Sequence, residues 1–217
     1  NLSQAIYQQL QQIDSSNSDA ITQRYHKKLL NDFTRSGVDK DEQLRDTLRQ
    51  LQIDIADTGQ QFSKNIREDV RHITIDSIDE LKGLPQDYID GLAKNAEGQW
   101  LITTDYPSIF PFLRYAHNDK KRLAIYKLFL NRGYPDNEAL LKQIISQRDQ
   151  LAKHLGYDTY AEYVTEVAMI ATPNNASTFI DRIATLAKSR SDRDYDQLLA
   201  QLQTIDPQAQ QVGNWQK

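Results

Sequence analysis

Between Leu141 and Leu155 the apolar residues Leu141, Ile144, Ile145, Leu151, Ala152 and Leu155 recur three and four positions apart, the spacing that lines one face of a helix. Gly156 follows at once, where a helix end commonly needs a residue that tolerates a left-handed backbone. Thr159 and Glu162 then stand at capping-box spacing, so Arg148–Tyr163 predicts a helix, a stop and a capped restart. A longer stripe of Leu44, Leu48, Leu51, Ile55, Phe62 and Ile66, with Thr58 or Gly59 in the missing slot, predicts a helix from about Asp39 to about Arg67. It lasts barely three heptads, which favours packing on an antiparallel neighbour over a coiled coil. Residues 1–36 predict one or two helices, broken at Asp14-Ser15-Ser16-Asn17 and stopped at Gly37.

After Val70 the period changes. His72-Ile73-Thr74-Ile75 and Gln99 to Thr104 have strand chemistry, and Leu81 to Ala93 between them carries a turn and a short helix. Beyond Pro111 helices are predicted over about 112–117, 119–131, 136–155, 159–169 and 173–203. Gly133-Tyr134-Pro135 and Gly156 punctuate this run, and Thr172-Pro173 supplies a cap and a first-turn proline. The expected fold is mainly α: a multi-helix domain of antiparallel helices with a small two-stranded β element inserted near residues 70–106.

Composition agrees with a helical body. The 217 residues include only 8 Gly and 6 Pro, and the mean hydropathy is −0.69; few breakers among many Gln, Leu, Asp and Lys favour helix. The net charge of −4 lacks the concentrated basic face of a nucleic-acid binder, and Lys27-Lys28 and Lys120-Lys121-Arg122 read as solvated surface. With no cysteine, disulfides, thiolate nucleophiles and sulfur ligands are excluded together. No apolar run approaches the roughly 20 residues of a membrane span. Asn1 is not an initiator methionine, so a removed upstream segment is compatible with the start.

The types of residue along these elements carry a resemblance. Arg148, Ala152, Leu155-Gly156-Tyr157 and Tyr160-Ala161-Glu162-Tyr163; Phe62, Asn65 and Glu68-Asp69; Leu81, Gly83-Leu84-Pro85 and Asp87; Trp100 to Phe112; and Thr172-Pro173 with Phe179 match in order. Together they resemble the thimet oligopeptidase family of zinc metallopeptidases, which includes neurolysin, oligopeptidase A and peptidyl-dipeptidase. The likeness runs from about Phe33 to Ile183 and implies the non-catalytic helical portion, with Trp100 to Phe112 as a strand followed by a turn. Members bind zinc through H-E-x-x-H on a helix, where residues four apart share a face and the glutamate acts as general base. Here His26, His72, His117 and His154 are the only histidines, no two are four residues apart, and none begins H-E-x-x-H.

The resemblance therefore implies a channel-wall fragment, residues 1–217, of an enzyme that hydrolyses short peptides, inactive alone. Within it, 1–69 form helices, 70–106 the β element with a turn and short helix, 107–205 helical hairpins, and 206–217 a linker toward a missing C-terminal catalytic domain, with Trp215 at the link. Zinc belongs to the full-length family member and none is expected here; no catalytic, substrate-binding or metal residue is assigned. Partners are short peptide substrates and that catalytic domain, with no nucleic acid and no membrane span. Cytoplasmic location is the expectation, with a periplasmic or envelope form as alternative. A stand-alone helical peptide-binding or scaffold protein, or an inactive member of the family, are the rival readings. Tyr106 and Tyr134 are candidates to touch substrate, against turn or core packing; the Tyr157, Tyr160 and Tyr163 stripe reads as hairpin packing, and Glu68-Asp69 with Arg67 and Arg71 as an ion-pair network.

Overall fold

A computed structural model describes residues 3–216. The chain divides into two compact units. One is built from residues up to 61 together with Ala139–Ser177, the other from Phe62–Glu138 together with the chain from Thr178 onward.

In the first unit α1 (Gln4–Gln11) and α2 (Ala20–Arg35) flank the expected break. Asp19 caps α2, its carboxylate accepting from the Ile21 and Thr22 N–H groups at 2.9 and 3.0 Å. Gly37 ends the helix with φ +79°, and a Cβ there would lie 2.3 Å from the Leu48 Cδ1 atom. The long helix α3 (Glu42–Glu68) buries Leu48, Leu51 and Thr58. Thr58 therefore fills the slot in the apolar stripe; its hydroxyl donates to the Asp54 carbonyl at 2.7 Å. Leu48 and Leu51 pack with Leu151 and Leu155 of α7 (Asp136–Leu155), rimmed by Tyr157, Tyr160 and Tyr163.

The α7 face is narrower than its spacing implies. Ile144, Leu151, Ala152 and Leu155 are buried, whereas Leu141 and Ile145 stand exposed, and two polar residues, Asn137 and Gln147, are buried on the same helix. Gly156, at φ +94°, turns the chain into α8 (Tyr160–Thr165), whose Thr159–Glu162 capping box is complete in both directions. Thr172 then caps α9 (Pro173–Gln203) through the Asn175 N–H, 3.1 Å from its hydroxyl.

The second unit holds the sheet. β1 (His72–Ile75) pairs antiparallel with β2 (Trp100–Thr103), register running from His72↔Thr103 to Ile75↔Trp100. Between them lie a 3-10 turn (Ile78–Leu81) and α4 (Gln86–Asp90). Ile75 and Ile102 point into a core with Leu81, Leu84, Ile109, Phe112, Ala116 and Ile125, supplied by α5 (Tyr106–Tyr115) and α6 (Asp119–Leu130).

α5 departs from expectation. The Tyr106–Phe112 stretch, read as a turn with helix starting near 112, is already helical from Tyr106. Pro107 sits at the start of the helix, where its missing N–H costs nothing. Pro111 lies within it, and its loss of one helical bond is outweighed by burial of Ile109 and Phe112 on the same face. Beyond α9, Trp215 in a final 3-10 turn (Asn214–Gln216) donates its indole N–H to the Asp119 carboxylate at 3.0 Å, its ring 6.4 Å from Tyr126. Among the described residues no helix is long and apolar enough to cross a membrane. The mainly α architecture with one two-stranded antiparallel sheet is the one the periodicity implies.

Candidate functional site: an aromatic and arginine groove

The last turns of α3, the start of α5 and the residues just past α6 meet in the second unit and leave a groove of about 590 Å³. Ser63, Ile66 and Arg67 form one bank; Asp105, Tyr106 and Pro107 form the other, with Arg132 at the end. Its geometry is fixed from beneath. The Arg71 guanidinium grips Asp69 through three bonds of 2.6 to 3.0 Å and donates to the Tyr134 carbonyl at 3.1 Å. The Gly133 N–H donates to Asp69 at 2.8 Å. These bonds hold the Asp69 carboxyl below the usual carboxylate range, Arg71 being the largest cause, then the Gly133 N–H. Asn137 donates to the Phe62 carbonyl at 3.0 Å and accepts from the Asn65 amide at 2.8 Å. Thr104, fully buried, exchanges bonds with the Arg71 backbone in both directions.

One aromatic ring, Tyr106, lines the groove, and two more lie beside it. Tyr106, Phe110 and Phe129 form a triangle with ring centroids 5.1 to 5.9 Å apart. The Arg132 guanidinium lies 4.3 Å from the Phe129 centroid and 5.7 Å from that of Tyr106, within cation–π range. Tyr106 is nevertheless 60% exposed and Tyr134 59%. Packing accounts for one face of the Tyr106 ring only. The Tyr134 side chain is outward while its carbonyl holds Arg71, so core burial explains neither residue.

The expected ion-pair network narrows to the Asp69–Arg71 pair. Arg67 instead faces the groove. Arg132 lies past the end of α6, so no helical spacing in the sequence places its guanidinium over the Phe129 ring.

The tyrosine stripe does what packing predicts, around a partner the sequence did not point to. In the first unit Arg35 donates to the Tyr157 hydroxyl at 3.2 Å and the Tyr163 carbonyl at 2.6 Å, and pairs with Glu166. Its guanidinium stacks 4.2 Å from the Tyr163 centroid. Burial, and then the bond to Glu166, push the Tyr157 hydroxyl above the ordinary phenol value.

The residues present do not fit a zinc ion. Among the described residues no three His, Cys, Asp or Glu side chains come together as a ligand set. His26 bonds Ser15 and the Leu10 carbonyl; His72 begins β1, His117 follows α5, and His154 lies in the last turn of α7.

Comparison with known proteins decides the family. Residues 112–215 match peptidase family M3. The chain is 26% identical to a thimet-like oligopeptidase of Dictyostelium discoideum over 81% of its length. It is 27% identical to oligopeptidase A of Haemophilus influenzae over 78% and 32% identical to saccharolysin of Saccharomyces cerevisiae over 68%. The chain belongs to peptidase family M3. These alignments take up 26%, 27% and 22% of the relatives' own lengths, so this M3 chain spans about a quarter of the curated relatives it matches. M3 members are zinc metallopeptidases; residues 112–215 are helical, and both strands of the sheet precede them.

Proposed function

We propose that this chain forms the non-catalytic channel wall of a zinc-dependent oligopeptidase that hydrolyses short peptides. The observation that carries the reading is the alignment with oligopeptidases over two thirds or more of the chain, in a sequence without an H-E-x-x-H segment. Zinc and the reacting water belong to a catalytic half whose residues lie elsewhere. The wall acts by exclusion and positioning: a narrow channel admits an extended peptide and rejects a folded domain. The capped corner at Gly156–Thr159 and the bonded loop at Gly133–Asn137 make it stiff.

The test is a zinc titration by calorimetry of the 217-residue chain, beside an assay with a quenched-fluorescent octapeptide. The reading expects no stoichiometric zinc site and no cleavage by this chain, with cleavage restored in a protein that also carries an H-E-x-x-H segment. A submicromolar zinc site, or hydrolysis by the chain alone, overturns it.

A further inference from the structure

We propose that the Tyr106 groove takes the C-terminal end of a short peptide, seating an aromatic or aliphatic side chain on the rings and the free carboxylate on Arg67 and Arg132. This rests on reading the chain as an oligopeptidase wall and assigns that wall a chemical preference.

Charge carries the argument first. Two guanidiniums and one carboxylate, Asp105, line the groove. Asp105 already accepts the Thr103 hydroxyl at 3.1 Å. Among the described residues neither Arg67 nor Arg132 has a carboxylate within 4 Å; the ion pairs of this unit go to Asp69, Asp76, Asp79, Glu80, Asp119, Asp192 and Asp194 from other cations. Asp69, which faces the Arg132 charge, is saturated by Arg71 and the Gly133 N–H. Arg132 spends its Nε on the Phe129 carbonyl at 3.3 Å and its face on the Phe129 ring, which orients the guanidinium and leaves its terminal nitrogens as donors. A planar fork held in this way suits a carboxylate's two oxygens.

Shape supplies the second part. A solvent-exposed tyrosine backed by two other rings is a costly surface to leave in water and a favourable one for an apolar side chain. The volume falls within the range of small-ligand sites and suits one or two residues rather than a long segment. The Ser63 hydroxyl on the opposite bank offers a donor to the last backbone carbonyl.

The test is an NMR titration of the ¹⁵N-labelled chain with acetyl-Gly-Gly-Phe as the free acid and as its C-terminal amide. The free acid should bind about tenfold tighter, the scale of one charge-assisted contact, with shifts concentrated at Tyr106, Arg132 and Ser63. Arg67→Gln, at an exposed position on α3, should remove most of that preference; Arg132→Lys should keep part of it, and Tyr106→Ala should weaken both probes. Equal binding of acid and amide, an unchanged preference in Arg67→Gln, or binding of neither probe overturns the assignment. None of these touches the wall reading, which fails only on zinc binding or cleavage by the chain itself.

Discussion

Arg35 lies with its guanidinium 4.2 Å from the Tyr163 ring centroid and donates to the Tyr163 carbonyl, linking the end of α2 to α8 within one unit. The side chain is only 10% exposed, so its stem packs while its head satisfies three acceptors. Removing it takes the donor from the Tyr163 carbonyl and leaves the Tyr157 hydroxyl bonded to Glu166 alone. Arg35→Ala should destabilise the first unit by about 2–3 kcal/mol, from lost bonds and lost stacking, read as a lower urea midpoint. The half-exposed Glu166 partner contributes less than about 1 kcal/mol of that. Arg35→Lys keeps the charge and loses the fork, and should recover less than half. A midpoint unchanged in Arg35→Ala would show that the cluster is ornamental.

The Asp69–Arg71 pair gives the second unit a pH dependence with a defined sign. The folded carboxyl titrates below its unfolded value because Arg71 and the Gly133 N–H bind its charged form. The stabilisation is therefore fully present above the unfolded value of about 4 and disappears as pH falls through the lower folded value. Urea midpoints of the wild type and Asp69→Asn, followed from pH 7 downward, should converge on the acid side. A gap that stays constant across that range would assign the effect to packing.

Gly83 should accept no side chain. Its φ is +92°, and a Cβ would fall 2.1 Å from the Tyr115 carbonyl oxygen and 2.4 Å from the His117 ring. Backbone cannot rotate away as a flexible side chain does. Gly83→Ala should cost about 3 kcal/mol or more from strain and collision combined, seen as a drop in thermal midpoint; Gly98→Ala, with φ +81° and open space around it, should cost about 1 kcal/mol.

Two phenylalanines separate core from surface. Phe112 is fully buried in the second unit's core and Phe179 is 57% exposed on α9. Phe112→Ala should cost about 3–5 kcal/mol, whereas Phe179→Ala should stay within about 0.5 kcal/mol. Calorimetric unfolding of both variants checks the contrast; comparable losses would mean that α9 buries more than its exposure indicates.

At the restart after Gly156, Thr159→Ala removes one half of a reciprocal cap and should cost about 1 kcal/mol. Thr159→Ser should restore most of it. Amide exchange at Glu162, whose N–H the threonine hydroxyl accepts, reports the change directly.

Local chemistry was readable in the chain, and distant partnership was not. The Thr159–Glu162 box, the Gly37 and Gly156 stops and the two strands follow from neighbouring residues. The helical course of Tyr106–Phe112 escaped because the resemblance implied a turn there, and only the fold shows Ile109 and Phe112 buried together. Leu141 and Ile145 obey the same spacing as Leu151, yet lie where nothing covers them. Tyr163's partner, Arg35, is 128 positions away, and no periodicity records such a distance. The groove was half legible: Tyr106 stands out as a residue, but the charge comes from Arg67 and Arg132, which only the fold brings to the same edge.

The core of the first unit joins Leu48 and Leu51 to Leu151 and Leu155, with the whole of Phe62–Glu138 lying between them along the chain. A ribosome adding about 5–20 residues per second makes the second pair roughly 5–20 seconds after the first. For that interval Leu48 and Leu51 are without their counterparts, while the sheet-bearing segment Phe62–Glu138 is being made. The core that starts first therefore waits for a segment made after Phe62–Glu138, and its apolar stripe stays uncovered in the meantime.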